Sequence, residues 1–399
     1  MLYGFPLYWA TGLSLFVPLT FGSIMALMLI LRGGVRATPG VLCWCAFLAW
    51  VSVCAVSVTG IVQLAEFGQR LSDLMAVGVA FLYYVNARDT ISPRHLLAGF
   101  TVIWGTVVVL GVLATQFPDV RLTSPLALVV PRSLLGNELV YEITYPRLAE
   151  VQEPWGAEEP FVRPAAPFPY TNSWGMAYAL LTPVMVLVMT RLRSRWGQLV
   201  LATALLVSVY PAAQTSNRGM LIALMLFALF VAARFVLDGN LLVAAGVLAL
   251  LCFGAVASWA VGVFAAIAER QAVSHTTSGR GEIYRATFEK TLESPIVGWA
   301  TPSMDVSIGI ALGTQGYAWT LLFSYGFLGL LLFYVFLARV LLATRQLRGA
   351  TAVVLQGIVA TVGCTIWFYG LGVTQCLIMM LAAAMLSRAV AEGRSTLDG

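Results

Sequence analysis

Five cations in this chain stand where phosphate chemistry would need them. Arg218 lies in the polar stretch 211–220, between the apolar runs 198–213 and 219–237. Arg163 lies in Phe161-Val-Arg-Pro-Ala-Ala-Pro-Phe-Pro-Tyr-Thr-Asn172. Arg280, Arg285 and Lys290 share the segment 278–290. A guanidinium donates to two oxygens at once, which suits it to phosphate. At a membrane border such a cation either snorkels to the headgroups or is held as a fixed charge at a surface site. Arg285 and Lys290 have acids within reach, Glu282 and Glu289, and Arg285 with Glu289 makes an i,i+4 pair. No acid nearby in sequence answers Arg218 or Arg280, so these two carry the functional reading.

The elements that must position these residues are membrane spans. The chain is 60% hydrophobic and 10% charged, with a mean hydropathy of +0.87. That balance excludes a soluble domain and indicates an all-α polytopic membrane protein. Apolar runs near 8–31, 41–63, 68–87, 96–116, 173–190, 198–213, 219–237, 240–263, 317–338, 351–370 and 372–388 predict eleven spans. The pairs within 198–237 and 351–388 read as tight hairpins. Threading the chain through these spans puts thirteen arginines and four acids on one side, against ten basic and fourteen acidic residues on the other. The positive-inside rule makes the first side cytoplasmic, with the N-terminus outside and the C-terminus inside. The N-terminus lacks the charged n-region of a signal peptide. The six cysteines fall inside apolar runs without metal-ligand spacing and read as small core residues.

This divides the chain into N-terminal spans (1–116), a first outer segment (117–172), central spans carrying the Arg218 turn (173–263), a second outer segment (264–316), and C-terminal spans with a cytoplasmic tail (317–399). The first outer segment holds nine of the 17 prolines and is too interrupted for long helices. The second predicts a short amphipathic surface helix, from the i+4 recurrence of Tyr284, Phe288 and Leu292, ended by Ser294-Pro295. Trp155, Tyr170, Trp174, Trp259, Trp299, Tyr317 and Trp319 fall near the outer boundary. Their default place is the interfacial belt, with stacking on sugar rings as the alternative. Gly326 and Gly329 predict close helix contact. His95, beside Arg94, reads as an interface residue.

Four blocks resemble the O-antigen ligase and O-antigen polymerase superfamily, in the order that family has them. They are Arg163 with Tyr170-Thr-Asn172; Thr215-Ser-Asn-Arg-Gly-Met-Leu-Ile-Ala223; Ser278-Gly-Arg280 through Ile283-Tyr284 to Ser294-Pro-Ile-Val-Gly298; and Gly313-Thr-Gln-Gly-Tyr-Ala-Trp319 followed by Ser324-Tyr-Gly-Phe-Leu-Gly329. The match covers roughly 160–330, and the N-terminal spans match only as apolar helices. The resemblance implies a GT-C-type membrane glycosyltransferase at the outer face of the bacterial cytoplasmic membrane. Its donor would be a glycan on polyprenyl (undecaprenyl) pyrophosphate and its acceptor a glycan or lipid-linked chain, for polysaccharide assembly. Such enzymes use neither a metal nor another cofactor, and no nucleic acid is implied. Carried over by position, Arg218 and Arg280 hold the pyrophosphate, Arg163 is a third cation, and Asn172 supports the loop. Asn217, Arg285, Tyr317 and Trp319 join them as substrate-binding residues.

The departure is at Gln315, where ligases of the family carry a histidine proposed to activate the acceptor hydroxyl. A glutamine amide orients a hydroxyl but is no general base at neutral pH. His275 is the one outward histidine and the substitute candidate. The change at 315 favours polymerase over ligase and leaves both open. Competing classes are a transporter, such as a lipid-linked oligosaccharide flippase, and a membrane scaffold without catalysis. Transporters place polar sites near the midplane on broken helices, and the runs here read as apolar in their middles. The topology has a direct check. In a background without the six native cysteines, Cys at position 280 should react with an impermeant thiol reagent from outside, and Cys at position 193 should not. Labelling at 280 only from the cytoplasm would remove the argument for an outer-face donor.

Overall fold

The computed structural model describes residues 1–87, 90–152, 160–260, 262, 264–265, 267–268, 276–305 and 310–397. Its helices are α1 (Phe5–Thr11), α2 (Val17–Arg32), α3 (Pro39–Val53), α4 (Ile61–Asn86), α5 (Pro93–Gln116), α6 (Glu138–Thr144), α7 (Thr171–Arg191), α8 (Arg195–Gln214), α9 (Arg218–Leu237), α10 (Leu241–Ala260), α11 (Thr276–Leu292), α12 (Tyr317–Thr344), α13 (Ala350–Thr365) and α14 (Val373–Ala391). Two short antiparallel hairpins interrupt them, β1 (Ala149–Gln152) with β2 (Phe161–Pro164), and β3 (Ser303–Asp305) with β4 (Ile310–Leu312). Both hairpins fall in the two long segments, where proline and polar residues end helix formation.

Among the described residues nine helices are long and apolar enough to cross a membrane. The protein is therefore a multi-pass helical membrane protein. Two of the eleven expected spans differ. The run 351–370 becomes the shorter apolar helix α13, and 68–87 becomes the greater part of the longer helix α4. The first half of α4 carries Glu66, Arg70 and Asp73, which lower its hydropathy below that of a span. The first long segment contains no long helix among its described residues, as its prolines require.

The chain forms two compact units, Met1–Val17 with Ile91–Ser274, and Pro18–Thr90 with His275–Gly399. In the first unit α5 packs on α7 and α8, and α9 packs on α7 and α10. The expected 198–237 hairpin is thus splayed, since α8 and α9 each lie against α7. Trp174, expected in the interfacial belt, is fully buried. Its indole N–H donates to the Val107 carbonyl at 2.9 Å and its ring stacks on Tyr178. Trp9 of α1 joins Ala114, Leu148, Ala149 and Ala166 in one apolar cluster, so the N-terminus meets the first long segment. His95 caps α5: its Nδ1 accepts from the Ser92 backbone N–H at 3.2 Å.

In the second unit α4 packs along α14 and α3, α12 packs along α3, and α13 and α14 form the expected hairpin. Helix ends threaded to one side by charge meet there. Asn86 at the end of α4 pairs with the backbone of Arg36, and Arg388 reaches the Ala87 carbonyl while pairing with Glu392 at 2.8 Å. At the other end of α4, Gln63 donates to the Trp299 carbonyl at 2.8 Å.

α12 is broken at Gly326, whose φ of 68° and ψ of −174° suit glycine alone. The turn Pro295–Ala300 fills the break. The amides of Trp299 and Ala300 donate to the carbonyls of Phe323 and Ser324, each at 2.9 Å. The Phe327 amide donates to the Pro295 carbonyl, and the Trp50 indole N–H to the Tyr325 carbonyl. Every backbone group freed by the break that these bonds reach is satisfied, which is how irregular backbone survives at membrane depth. Gly326 therefore serves loop backbone, where helix–helix contact was expected. A Cβ there would collide with the Ile296 carbonyl. Gly326→Ala should lower stability by about 2 kcal/mol or more, read as a lower melting temperature in detergent. Gly370→Ala, with open space around its Cβ, serves as the neutral comparison.

Candidate functional site

The residues singled out by sequence fall into two sets, one in each unit. In the first unit the set is built on the α8–α9 turn. α8 ends at Gln214, Ser216 takes a left-handed φ of 45°, and Asn217 caps α9. The Asn217 Oδ1 accepts from the Met220 backbone N–H at 3.2 Å, the bond expected of an N-cap. Its Nδ2 faces Asn172 Oδ1 at 3.4 Å, so the two sequence-predicted asparagines do meet.

Arg163 is 4% exposed. Its Nε donates to the Thr215 carbonyl at 2.8 Å. That carbonyl belongs to a helix C-terminus, where acceptors are left over and the macrodipole favours a cation. Arg163 is thus placed as a brace beneath the turn that presents Arg218. Across the β1–β2 ladder Arg163 is the register partner of Glu150. Glu150 Oε2 accepts from the Thr171 backbone N–H at 3.1 Å, at the start of α7, and Gln152 bridges the Glu150 carboxylate and the Arg163 guanidinium. Burial works to raise the Glu150 pKa, but the Thr171 N–H and the Arg163 charge overcome it and hold the carboxyl below its ordinary value. Sequence reasoning did not single out Glu150, since nothing local shows that residues 150 and 163 share a ladder.

Arg218 is half-exposed and occupies the first turn of α9. Among the described residues its side chain forms no hydrogen bond or ion pair. A cation at a helix N-terminus opposes the macrodipole, by about 0.3–1 kcal/mol at exposed positions. The free backbone N–H groups and the guanidinium therefore favour an anion at the same place.

In the second unit the set is built on α11 and the turn before α12. α11 forms where the surface helix was expected, but a different face is buried. Thr287 and Thr291 are fully buried, while Phe288 and Leu292 stay largely exposed. Thr287 Oγ1 accepts from the Gly313 N–H at 3.2 Å. The ring of Tyr284 stacks on Trp319 at 4.7 Å, and its hydroxyl donates to the Gln315 carbonyl at 3.2 Å. Trp319 meets Trp367 edge-on and donates to the Trp367 carbonyl at 3.0 Å. Gly316, at φ 149°, lets the turn lie against that same carbonyl; a Cβ would stand 2.6 Å from it. The amides of Tyr317 and Ala318 donate to Tyr369 and Ile366. Gln315 is consequently held by its backbone while its half-exposed side chain forms no hydrogen bond among the described residues. The Tyr317 ring packs edge-to-face with that of buried Phe333 at 5.5 Å, and Trp319 has one face covered by Tyr284.

Arg280 is half-exposed on α11, one turn before Tyr284. Burial pushes the Tyr284 phenol above its ordinary pKa, and the Arg280 charge takes back only part of that rise. Arg280 forms no hydrogen bond or ion pair among the described residues. Arg285 is paired with Glu289 at 2.8 Å and Lys290 with Glu293 at 2.6 Å, with Lys290 also over the Trp299 ring. His275 and Trp155 lie outside the described residues. No family model, curated protein or solved structure matches the chain.

The Glu150 brace has a pH signature. Its folded-state pKa lies below the unfolded value, so its stabilisation is present above the ordinary carboxylate range and is lost as pH falls through the folded value. Glu150→Gln should melt at a lower temperature than wild type at neutral pH, and the gap should close on acidification. A gap that stays constant into acid would show that the carboxylate charge is not what holds the turn.

Proposed function

We propose that this protein transfers or polymerises a glycan from a polyprenyl pyrophosphate donor at the outer face of a bacterial cytoplasmic membrane, for cell-surface polysaccharide assembly. The observation that carries this reading is Arg218. It is a cation without a partner among the described residues, at a helix N-terminus, on a turn braced from below by a buried arginine. Such a turn suits a pyrophosphate, whose oxygens take both the guanidinium fork and the helix amides. Arg280 is a second cation that forms no bond among the described residues, on the same helix as Tyr284, whose ring stacks on Trp319. As the bond from C1 to the pyrophosphate oxygen breaks, negative charge grows on the leaving group, and a fixed cation stabilises it more than the ground state. Arg163 supports the reading as a brace, Asn217 as the cap of α9 with Asn172 against it, and Gln315 as an orienting amide.

A second reading has two observations in its favour. The break in α12 and the charges of α4 are the features by which transporters hold polar substrates in a membrane. That reading is a flippase, moving the lipid-linked glycan between leaflets with its bonds intact.

The two part on one assay. Purified protein is given a synthetic polyprenyl-pyrophosphate glycan, and both released polyprenyl pyrophosphate and extended glycan are measured. Extension with release is expected, falling about 100- to 1000-fold in Arg218→Ala or Arg280→Ala, as for loss of one charge-stabilising donor. Intact donor that only changes leaflet would overturn the transferase reading.

A further inference from the structure

Rings from three separate elements of the second unit meet where α12 begins. Tyr284 comes from α11, Trp319 from the first turn of α12, and Trp367 from the turn between α13 and α14. Tyr284 stacks on Trp319 at 4.7 Å with 11° between the planes, and Trp319 meets Trp367 at 5.6 Å and 81°. The stacked pair and Trp367 are thus two walls of a corner, set at nearly a right angle. Trp367 is 40% exposed, and Tyr284 and Trp319 are each half-exposed, so ring surface stays open on both walls.

Backbone groups hold the rings in place. An aromatic residue that anchors a protein at the membrane surface turns its polar end to the headgroups. Here the polar ends are spent on the protein itself. The Trp319 indole N–H donates to the Trp367 carbonyl at 3.0 Å, and the Tyr284 hydroxyl donates to the Gln315 carbonyl at 3.2 Å. The Tyr317 amide donates to the Tyr369 carbonyl at 2.7 Å and the Ala318 amide to that of Ile366 at 2.8 Å, which pins the turn 366–369 against the start of α12. Gly316 permits the approach, because a Cβ there would stand 2.6 Å from the Trp367 carbonyl. Rings ordered in advance lose little side-chain entropy when a ligand binds.

Polar groups border the corner. Gln315 gives its carbonyl to Tyr284 and is followed by the glycine that lies against Trp367, so its half-exposed amide leaves the chain between the two walls. An amide both donates and accepts. Arg280 stands four residues before Tyr284, one turn away on the same face of α11. A sugar ring has the matching construction, with C–H groups on its faces for aromatic surface and hydroxyls on its rim for polar groups. A lipid tail would meet the rings and offer nothing to the amide or the guanidinium. We infer that the corner is a carbohydrate subsite. Tyr284, Trp319 and Trp367 hold the sugar ring next to the pyrophosphate of a lipid-linked glycan, Gln315 takes its hydroxyls, and Arg280 takes the phosphate it carries. The phosphate contact rests on the transferase reading, whereas ring binding rests on the corner alone.

The test is saturation-transfer NMR on the full chain in nanodiscs, with empty nanodiscs as the blank. The probes are the 1-phosphates of glucose, galactose and N-acetylglucosamine, each with its methyl glycoside. Saturation should reach the ring protons of at least one sugar above the blank, and the 1-phosphate should bind more tightly than its methyl glycoside. Trp367→Ala should raise the Kd of both about threefold or more, and Trp367→Phe should restore part of the loss. Arg280→Gln should bring the 1-phosphate down to the affinity of the methyl glycoside. No saturation above the blank, or saturation that Trp367→Ala leaves unchanged, would overturn the inference. If Trp367→Ala melts early, Gln315→Ala decides, since it keeps the carbonyl that Tyr284 uses: a raised Kd at an unchanged melting temperature supports the subsite, and an unchanged Kd overturns it. Ring saturation without release of polyprenyl pyrophosphate in the transfer assay upholds the subsite and overturns the transferase reading. Release without ring saturation does the reverse.

Discussion

A peptide group in hydrocarbon has no water to answer it, and most of this fold follows from that constraint. Long helices satisfy their own backbone and need only apolar sequence to form. The places where backbone departs from helix are where the structure adds specific partners. At the α12 break, the turn Pro295–Ala300 and the Trp50 indole answer carbonyls that the missing helical turn would have used. At the end of α8, the buried Arg163 guanidinium answers the Thr215 carbonyl. Glycines 298, 313, 316 and 326 sit at positive φ in the segments concerned, where side chains would block the close approach.

Both repairs lie beside the residues proposed to do chemistry. Arg163 holds the turn that presents Arg218, and its own partner Glu150 anchors the start of α7. The Gln315 turn is held between α11 and the turn 366–369 by backbone bonds and by aromatic contact through Tyr284, Trp319 and Trp367. In each unit an ordered backbone carries a half-exposed polar side chain that makes no bond among the described residues. That is the arrangement preorganised recognition needs, since the protein has already met the cost of ordering the site.

Charge separates structural from available cations. Arg285, Lys290 and Arg388 are each matched to an acid three or four residues further along the chain. Local spacing suffices to foresee such pairs, and the Arg285–Glu289 pair was legible for that reason. Arg163 has no such local partner, and its role depends on the β1–β2 register and on a carbonyl 52 residues away. Arg70 and Asp73 carried a readable signal in their spacing with Gln63 and Glu66. Arg70 and Asp73 fall inside the expected span 68–87 because an apolar run follows them, while Glu66 falls in the connector before it.

The amino-acid sequence by itself determined the helical, multi-pass character, because burial in lipid is set by local hydropathy summed over one helix. It also determined where α11 lies and where the long segments fall, since proline, capping residues and apolar spacing act over a few residues. Only the tertiary structure decided which face of α11 is buried, that Gly326 breaks α12, that Trp174 is interior, and that Arg163 braces where a ligand contact was expected. Those outcomes depend on contacts between residues tens to hundreds of positions apart, and a backbone carbonyl waiting for a partner leaves no mark in the residue that bears it.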